Sequence, residues 1–115
     1  MRILILEDDA LIALDLQCLL EDAGHHVLGP FATIAAARAG RPSAIDFAFL
    51  DIDLPDGKSF AFAAQLERER VPFAFVSASA RSDLPETLRH ARFVAKPYAH
   101  AAIRSFLGET TRLAS

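Results

Sequence analysis

This sequence of 115 residues lacks the features that mark secreted, membrane-bound and nucleic-acid-binding proteins. Its single cysteine, Cys18, cannot form a disulfide within the chain, which fits a reducing cytoplasm. No apolar run approaches the length of about 20 residues that a membrane-spanning helix needs, and residues 3–6 are too short a run for a signal peptide. Lysines and arginines form no cluster and the formal net charge is -3, which argues against nucleic-acid binding. We therefore expect a cytoplasmic protein that binds neither membranes nor nucleic acids.

Size and apolar content indicate one domain. With 115 residues, 52% of them hydrophobic, the chain is long enough for one core and too short for two. No linker or repeat divides it, so we expect residues 1–115 to form a single domain without an output domain. Cys18 lies in an apolar helical pattern and is assigned to the core. The polar residues 109–115 are expected to be a frayed tail.

Short apolar strands alternate with helical patterns, which is typical of an α/β fold with a parallel sheet. Strands are predicted at residues 3–6, 26–31, 46–51, 71–77 and 92–95. Helices are predicted at residues 11–23, 33–40, 59–70 and 100–107, the last ending at Gly108. Residues 83–90 are predicted to form a marginal helix of about two turns. The second strand contains Gly29 and Pro30 and is expected at an edge of the sheet.

The third predicted strand is an apolar run that ends abruptly at Asp51. Asp53, Pro55 and Gly57 follow it with the composition of a turn. A continuous apolar run bounded by turn residues is typical of a parallel strand buried on both faces. Open α/β sheets bind their ligands at the carboxyl ends of such strands. Taken alone, Asp51 and Asp53 could equally be loop acids that open a turn.

Polar residues also end the first, fourth and fifth predicted strands. The strand-ending set is Glu7, Asp8, Asp51, Ser77 and Lys96. Parallel strands place their carboxyl ends at one edge of the sheet, so these side chains should converge. Crowded carboxylates repel one another and are tolerable mainly around a hard divalent cation, which implies Mg²⁺. A hydroxyl and an ammonium facing the same point suit a phosphoryl group, so the predicted chemistry is phosphoryl transfer to a carboxylate. Asp9 is interpreted instead as a helix cap.

Over essentially its whole length the sequence resembles the receiver domain of two-component response regulators. The matching segments are residues 3–8, 50–57, 75–78 and 94–97, with the sequences ILILED, LDIDLPDG, FVSA and VAKP. The resemblance implies a flavodoxin-like, doubly wound α/β fold with a five-stranded parallel sheet in the order 2-1-3-4-5. Residues 72–79 also partly resemble the Pro-Phe-x-Phe-Ala-Thr-Gly-Tyr pattern of a subgroup of stand-alone receivers.

The resemblance implies a metal site around a phosphoacceptor. Asp51 would be the phosphoacceptor, and Asp8 would bind Mg²⁺ directly. Glu7 would help to bind the ion through water, and the backbone carbonyl of Asp53 would supply another ligand. Magnesium is therefore the expected cofactor.

The resemblance also implies a switch beside that site. Ser77 would contact the phosphoryl group, Lys96 would pair with it, and the small Ala78 would leave access to it. Phe93 would be the switch aromatic whose rotamer follows Ser77. The Lys96–Pro97 peptide bond is expected to be cis in such folds, which would point the lysine inward.

By the same resemblance, the protein would act in signalling and would not turn over an external substrate. A sensor histidine kinase or phosphotransfer protein would donate phosphate to Asp51. An unknown downstream protein would read the change by protein–protein contact, or the phosphate would pass on in a phosphorelay. The fourth helix of such domains is usually part of the signalling face. In this chain it corresponds to residues 83–90 and is interrupted early by Pro85, so we hypothesise that phosphorylation orders this segment.

Two other functions fit parts of the sequence. Asp51 and Asp53 match the Asp-x-Asp core of haloacid-dehalogenase-type phosphatases, in which the second Asp is a general acid. In this chain the motif lies in mid-sequence, Pro55 stands where a Thr is expected, and the chain is short. The other alternative is a non-phosphorylated pseudo-receiver that acts as a binding module. The intact strand-ending set argues against that alternative.

Overall fold

The computed structural model describes residues 1–114, with side chains described as far as Gly108. The strands are β1 Arg2–Leu6, β2 His26–Phe31, β3 Phe47–Leu50, β4 Asp53–Leu54, β5 Gly57–Lys58, β6 Phe73–Ser77 and β7 Arg92–Ala95. The helices are α1 Ala10–Asp22, α2 Ile34–Gly40, α3 Phe60–Arg68 and α4 His100–Ala114. Two 3₁₀ turns, Arg81–Asp83 and Glu86–Leu88, lie between β6 and β7. Within residues 1–114, no helix combines the length and the apolar composition needed to cross a bilayer.

Five strands form one parallel sheet in the order β2-β1-β3-β6-β7. This order confirms the predicted 2-1-3-4-5 arrangement, because β6 and β7 are the fourth and fifth strands of the sheet along the chain. As predicted, β2 lies at an edge. The short strands β4 and β5, which the sequence analysis does not predict, pair antiparallel as a separate ribbon.

The sheet is covered on both faces, which explains why its strands are continuously apolar. Alternate residues of a strand point to opposite faces, so Leu4 and Leu6 pack in one core cluster while Ile3 and Ile5 pack in the other. Helices α2 and α3 contribute to the first cluster, and α1 and α4 to the second. Burying each such side chain contributes about 1.5–3 kcal/mol. The strand β1 therefore anchors both layers.

Side-chain caps determine where the first two helices begin. Asp9 accepts hydrogen bonds from two N–H groups of the first turn of α1, which confirms its predicted capping role. Thr33 caps α2 in the same way. The carboxylate of Asp56, from the turn between β4 and β5, accepts two further N–H groups at the start of α2, each at 3.0 Å. The ribbon is thereby fastened to α2.

The predicted helix at residues 83–90 is wrong. The chain forms the two 3₁₀ turns instead, with Leu84 and Pro85 in extended conformations between them. The proline ring disfavours the helical conformation for the preceding residue, and proline offers no N–H for a helical hydrogen bond. Leu84 and Leu88 are nevertheless buried, so the segment packs on the core.

Two other expectations are also wrong. Cys18 is exposed and does not belong to the core, because α1 turns its buried leucines toward the sheet and Cys18 away from it. Helix α4 does not end at Gly108 but continues to Ala114. Gly108 has no positive φ that would end the helix, and a glycine inside a helix costs only about 1 kcal/mol relative to alanine. Residue 115 lies outside the described residues, and fraying of the tail stays a prediction.

Candidate active site at the carboxyl edge of the sheet

The candidate site lies where four neighbouring parallel strands end. The backbone ladder continues beyond the strands: the N–H of Asp51 donates to the carbonyl of Leu6 at 2.8 Å, and the N–H of Lys96 donates to the carbonyl of Ser77 at 2.9 Å. These hydrogen bonds hold the backbones of Asp51 and Lys96 against the adjacent strands. The strand-ending residues therefore meet at one edge of the sheet, as the sequence predicts.

Three carboxylates gather at this edge. One oxygen each of Glu7, Asp8 and Asp51 lies within 4.8 Å of the other two. Glu7 and Asp51 are buried, whereas Asp8 is exposed. Like charges repel at such distances, and a hard divalent cation with oxygen ligands relieves the repulsion. The donor set fits such a cation, and the exposed member leaves one side open to water.

The ammonium group of Lys96 lies among these carboxylates. Its Nζ is 2.5 Å from Glu7 Oε1 and 3.1 Å from Asp51 Oδ2. Burial of the ammonium lowers the pKa of Lys96, but the hydrogen bonds and charges of Glu7 and Asp51 outweigh burial and leave the pKa raised. Lys96 is therefore a permanent cation beside Asp51. The Lys96–Pro97 peptide bond is cis, as predicted.

Glu7 is the carboxylate whose ionisation is most disturbed. Burial raises the pKa of Glu7 to about 7, although the hydrogen bonds from Lys96 and from the backbone N–H of Asp9 act in the opposite direction. The nearby charge of Asp51 adds to the rise. Without a metal ion, Glu7 would therefore gain and lose its proton near neutral pH, and a bound cation would favour the ionised form.

Asp51 is held through both its side chain and its backbone. The N–H of Ile52 donates to Oδ1 at 2.7 Å, and Lys96 donates to Oδ2. The buried hydroxyl of Ser59 donates to the backbone carbonyl of Asp51 at 2.6 Å. The sequence predicts only a helix start at Ser59 and does not predict this role. The Ser59 hydroxyl makes no cap to α3, and a small polar residue before an apolar helix is the only sequence signal of its function.

The loop after β6 forms one side of the site. Ser77 is buried, and its hydroxyl oxygen accepts the N–H of Ser79 at 3.1 Å. Ala78 lies between them and is exposed, and its side chain adds only a methyl group to this side of the site. The hydroxyl of Ser79 donates to Asp53 Oδ2 at 3.1 Å, and Lys58 forms an ion pair with Asp53 Oδ1. The hydrogen bond from Lys58, supported by that from Ser79, holds the pKa of Asp53 below its usual value.

Phe93, the predicted switch aromatic, lies on β7 three residues before Lys96. Its half-buried ring packs against the core, and the Arg81 guanidinium carbon lies 5.7 Å from the ring centroid. Arg81 Nη1 also donates to the carbonyls of Arg89 and Ala91, at 2.9 and 2.5 Å. Arg81 therefore ties the start of the segment between β6 and β7 to its end and to Phe93.

A shallow cavity of about 270 Å³ opens beside the site. Its lining is formed by Leu11, Ile12, Asp15, Lys96, Pro97 and Tyr98. The side chain of Leu11 is 80% exposed, and that of Leu14 on the same helix is 56% exposed. Exposed apolar groups beside a cavity are typical of a contact surface.

Comparison with known proteins identifies regulatory proteins and receiver domains that are similar to this chain. No protein-family model matches the chain. It is 35% identical to the phyllosphere-induced regulator PhyR of Methylorubrum extorquens in an alignment of 116 positions that covers 94% of this chain and 42% of PhyR. It is 28% identical to the transcriptional regulatory protein PdtaR of Mycobacterium tuberculosis in an alignment of 105 positions that covers 84% of this chain and 50% of PdtaR. The chain thus spans about half the length of the curated relatives it matches. Among solved structures it is similar to the non-phosphorylated HemR receiver domain from Leptospira biflexa, with 32% identity, a TM-score of 0.79, and coverage of 95% of this chain and 92% of that one.

Proposed function

Because this chain belongs to the receiver-domain family of two-component response regulators, we propose that it is a signalling domain that accepts a phosphoryl group on Asp51. The observation that carries this proposal is the position of Lys96 Nζ between the carboxylates of Glu7 and Asp51, with Asp8 beside them. Phosphoryl transfer needs a cation site and a positive side chain next to the attacking oxygen. The three carboxylates would supply the cation site, and Lys96 would supply the positive side chain.

The residues of the cluster would hold Mg²⁺. Asp8 and Asp51 would bind through carboxylate oxygens, Asp53 through its backbone carbonyl, and Glu7 through water. An oxygen-only donor set with few protein ligands and one open side suits this ion. When bound, the ion supplies neutralisation of the negative charge on the phosphoryl oxygens.

The phosphoryl group would come from a phosphohistidine of a sensor histidine kinase or a phosphotransfer protein. A carboxylate oxygen of Asp51 attacks the phosphorus, the donor's N–P bond breaks, and the imidazole leaves with the electron pair of that bond. Lys96 then leaves the Asp51 oxygen and pairs with a phosphoryl oxygen. The hydrogen bonds from Ile52 and Ser59 keep Asp51 in place during the attack. The exposed Ala78 leaves the approach open.

Ser77 and Phe93 would carry the signal away from the site. The Ser77 hydroxyl, which accepts the N–H of Ser79, would turn toward the phosphoryl group. Its departure would let the Phe93 ring move, while the hydrogen bonds of Arg81 to the carbonyls of Arg89 and Ala91 keep the segment closed. The segment between β6 and β7 would then adopt a more ordered form that a downstream protein reads. Onward transfer of the phosphoryl group in a phosphorelay is the other possible output.

The protein donor would dock beside the site, on the exposed Leu11 and the neighbouring cavity. Lys96 lines the same cavity, so a donor seated there would be next to Asp51. The domain would gain and lose its own phosphoryl group and turn over no other substrate. Its place of action would be the cytoplasm, with protein partners and neither nucleic acid nor membrane.

One experiment separates this function from the two alternatives. The protein and Mg²⁺ are incubated with either a small-molecule acyl phosphate or a phosphomonoester, and both phosphoprotein and free phosphate are followed. We expect phosphoprotein with the acyl phosphate and no sustained release from the phosphomonoester. Sustained release from the phosphomonoester would favour a phosphatase that uses Asp51 and Asp53. No phosphoprotein and no release with any donor would favour the non-phosphorylated binding module.

A further inference from the structure

The ribbon of β4 and β5 places Lys58 directly across from Asp53. The two residues are cross-strand partners, and the Lys58 ammonium forms an ion pair with Asp53 Oδ1. From the opposite side, the Ser79 hydroxyl donates to Asp53 Oδ2 at 3.1 Å. Both carboxylate oxygens of Asp53 are therefore occupied. We call the contacts among Lys58, Asp53 and Ser79 the rim bridge.

The rim bridge joins the two loops that border Asp51. Asp53 lies two residues beyond Asp51, and Ser79 lies two residues beyond Ser77. Asp51 directly follows β3, and Ser77 is the last residue of β6. These two strands are neighbours in the sheet. The rim bridge therefore connects the loops that follow these two strands, and its Lys58 and Asp53 side chains are more than half exposed to solvent.

Both ends of the rim bridge are connected to the site itself. Next to Lys58 in the chain, Ser59 donates its hydroxyl to the backbone carbonyl of Asp51 at 2.6 Å. At the other end, the N–H of Ser79 donates to the hydroxyl oxygen of Ser77 at 3.1 Å. A loss of the ion pair would therefore loosen a contact that lies between the phosphoacceptor and the predicted switch serine.

We propose that Lys58 is a positioning residue that prolongs the lifetime of the phosphoryl group on Asp51 by holding Asp53 against Ser79. This inference rests on the proposed function. Loss of the phosphoryl group is a hydrolysis: a water oxygen attacks the phosphorus, the bond between phosphorus and the Asp51 oxygen breaks, and inorganic phosphate leaves while the water proton passes to it or to solvent. Side chains that are fixed across the solvent side restrict the approach of this water.

The contacts explain why the effect should come from position and not from charge alone. Lys58 and Asp53 are more than half exposed, so water and salt screen any long-range action of the ammonium on Asp51. The two contacts use both carboxylate oxygens of Asp53, and asparagine has only one acceptor oxygen, so it cannot accept from Lys58 and Ser79 on separate oxygens. Removal of Lys58 should therefore matter in the wild type and lose its effect when residue 53 is asparagine.

The test measures how fast the phosphoprotein decays. Wild type, Lys58→Met, Lys58→Arg, Asp53→Asn and the Lys58→Met/Asp53→Asn double variant are loaded with a small-molecule acyl phosphate at saturating Mg²⁺. The donor is then removed, and the phosphoprotein is followed by intact mass. Asparagine keeps the backbone carbonyl of residue 53 that is proposed to bind the ion. Thermal melting of each variant verifies that the fold is unchanged.

We expect Lys58→Met to decay about 1.5- to 5-fold faster than the wild type, the range that an exposed ion pair allows. Lys58→Arg should keep the slow decay, and the double variant should decay no faster than Asp53→Asn alone. Arg38→Met is the matched control: Arg38 is an exposed cation that lines the same surface cavity as Lys58. Its removal changes the charge equally and should leave the decay unchanged.

Three results would overturn the inference: wild-type decay in Lys58→Met, equal acceleration in Arg38→Met, or full acceleration by Lys58→Met in the Asp53→Asn background. In each of these cases the proposed function survives, because the wild type still carries a phosphoryl group. If the wild type takes up no phosphoryl group at all, the proposed function and the inference both fail.

Discussion

Lys96 Nζ lies 2.5 Å from Glu7 Oε1, closer than the 3.1 Å that separates it from Asp51 Oδ2. The lysine therefore bridges two buried carboxylates and is paired more closely with Glu7 than with Asp51, the proposed phosphoacceptor. Burial of Glu7 outweighs this pairing, because the pKa of Glu7 is raised to about 7. A divalent cation bound at this edge of the sheet would therefore compete with the proton on Glu7.

Glu7→Gln should change how the stability of the metal-free protein depends on pH. Since the pKa of Glu7 rises from 4.5 to about 7 on folding, the folded state binds this proton more tightly than the unfolded state. Its contribution to stability is present below about pH 4.5 and is lost as pH rises through about 7, by up to about 3 kcal/mol. Urea unfolding in the presence of a chelator should show the wild type losing stability relative to Glu7→Gln as pH rises. Parallel pH curves for the two proteins would contradict this origin of the pKa shift.

Ser59→Ala should destabilise the fold and slow phosphorylation. The substitution removes the hydroxyl that donates to the buried backbone carbonyl of Asp51, which should cost about 1–2 kcal/mol in the free energy of unfolding. Loading of Asp51 from a small-molecule donor should slow severalfold, because the acceptor is less well positioned. Chemical denaturation and the loading rate measure the two effects. Ser43→Ala, at an exposed position, is the control, and equal behaviour of the two variants would show that Ser59 does not hold the site.

Leu11→Gln should impair phosphorylation by a protein donor but not by a small molecule. Leu11 is exposed, so its replacement should leave stability nearly unchanged. A histidine kinase or phosphotransfer protein that phosphorylates the wild type should load Leu11→Gln more slowly, while Leu11→Met should remain close to the wild type. Equal loss of loading from the small-molecule donor would show instead that the substitution damages the site.

Phosphorylation should increase the protection of backbone amides between β6 and β7. The structure has two short 3₁₀ turns there, tied by Arg81 to two carbonyls and to the Phe93 ring. Hydrogen exchange of residues 81–91 with Mg²⁺ and beryllium fluoride, a phosphoryl mimic, should be slower than with Mg²⁺ alone. Arg81→Gln should exchange faster than the wild type in the absence of the mimic. Equal exchange with and without the mimic would refute ordering by phosphorylation.

The sequence predicts the parts of the site that depend on strand ends. Asp51, Ser77 and Lys96 each stand where an apolar run stops, and parallel pairing brings such positions to one edge of the sheet. The cap at Asp9 is similarly local, since one side chain and the next turn of helix suffice. These features follow from short stretches of sequence and one rule of topology.

The features that the sequence does not predict depend on contacts between distant segments. The ion pair of Lys58 with Asp53 requires the small ribbon, and the hydroxyl of Ser59 finds its acceptor across a turn. Both contacts are made by polar side chains, so the spacing of hydrophobic residues along the sequence does not predict them. For Cys18 the prediction from sequence is wrong for another reason: the apolar helical pattern predicts a core residue, but the side of the helix that Cys18 occupies faces solvent. At residues 83–90, Pro85 prevents the expected helix, and two 3₁₀ turns form instead.

The most direct test of the central claim is the intact mass of the protein after incubation with Mg²⁺ and a small-molecule phosphodonor. Wild type is compared with Asp51→Asn and with the control Asp46→Asn. Asp46 is exposed and directly precedes β3, at the opposite end of the strand from Asp51. We predict one phosphoryl adduct on the wild type and on Asp46→Asn, none on Asp51→Asn, and none when the metal is chelated. An adduct of equal yield on Asp51→Asn would contradict the assignment of Asp51 as the phosphoacceptor.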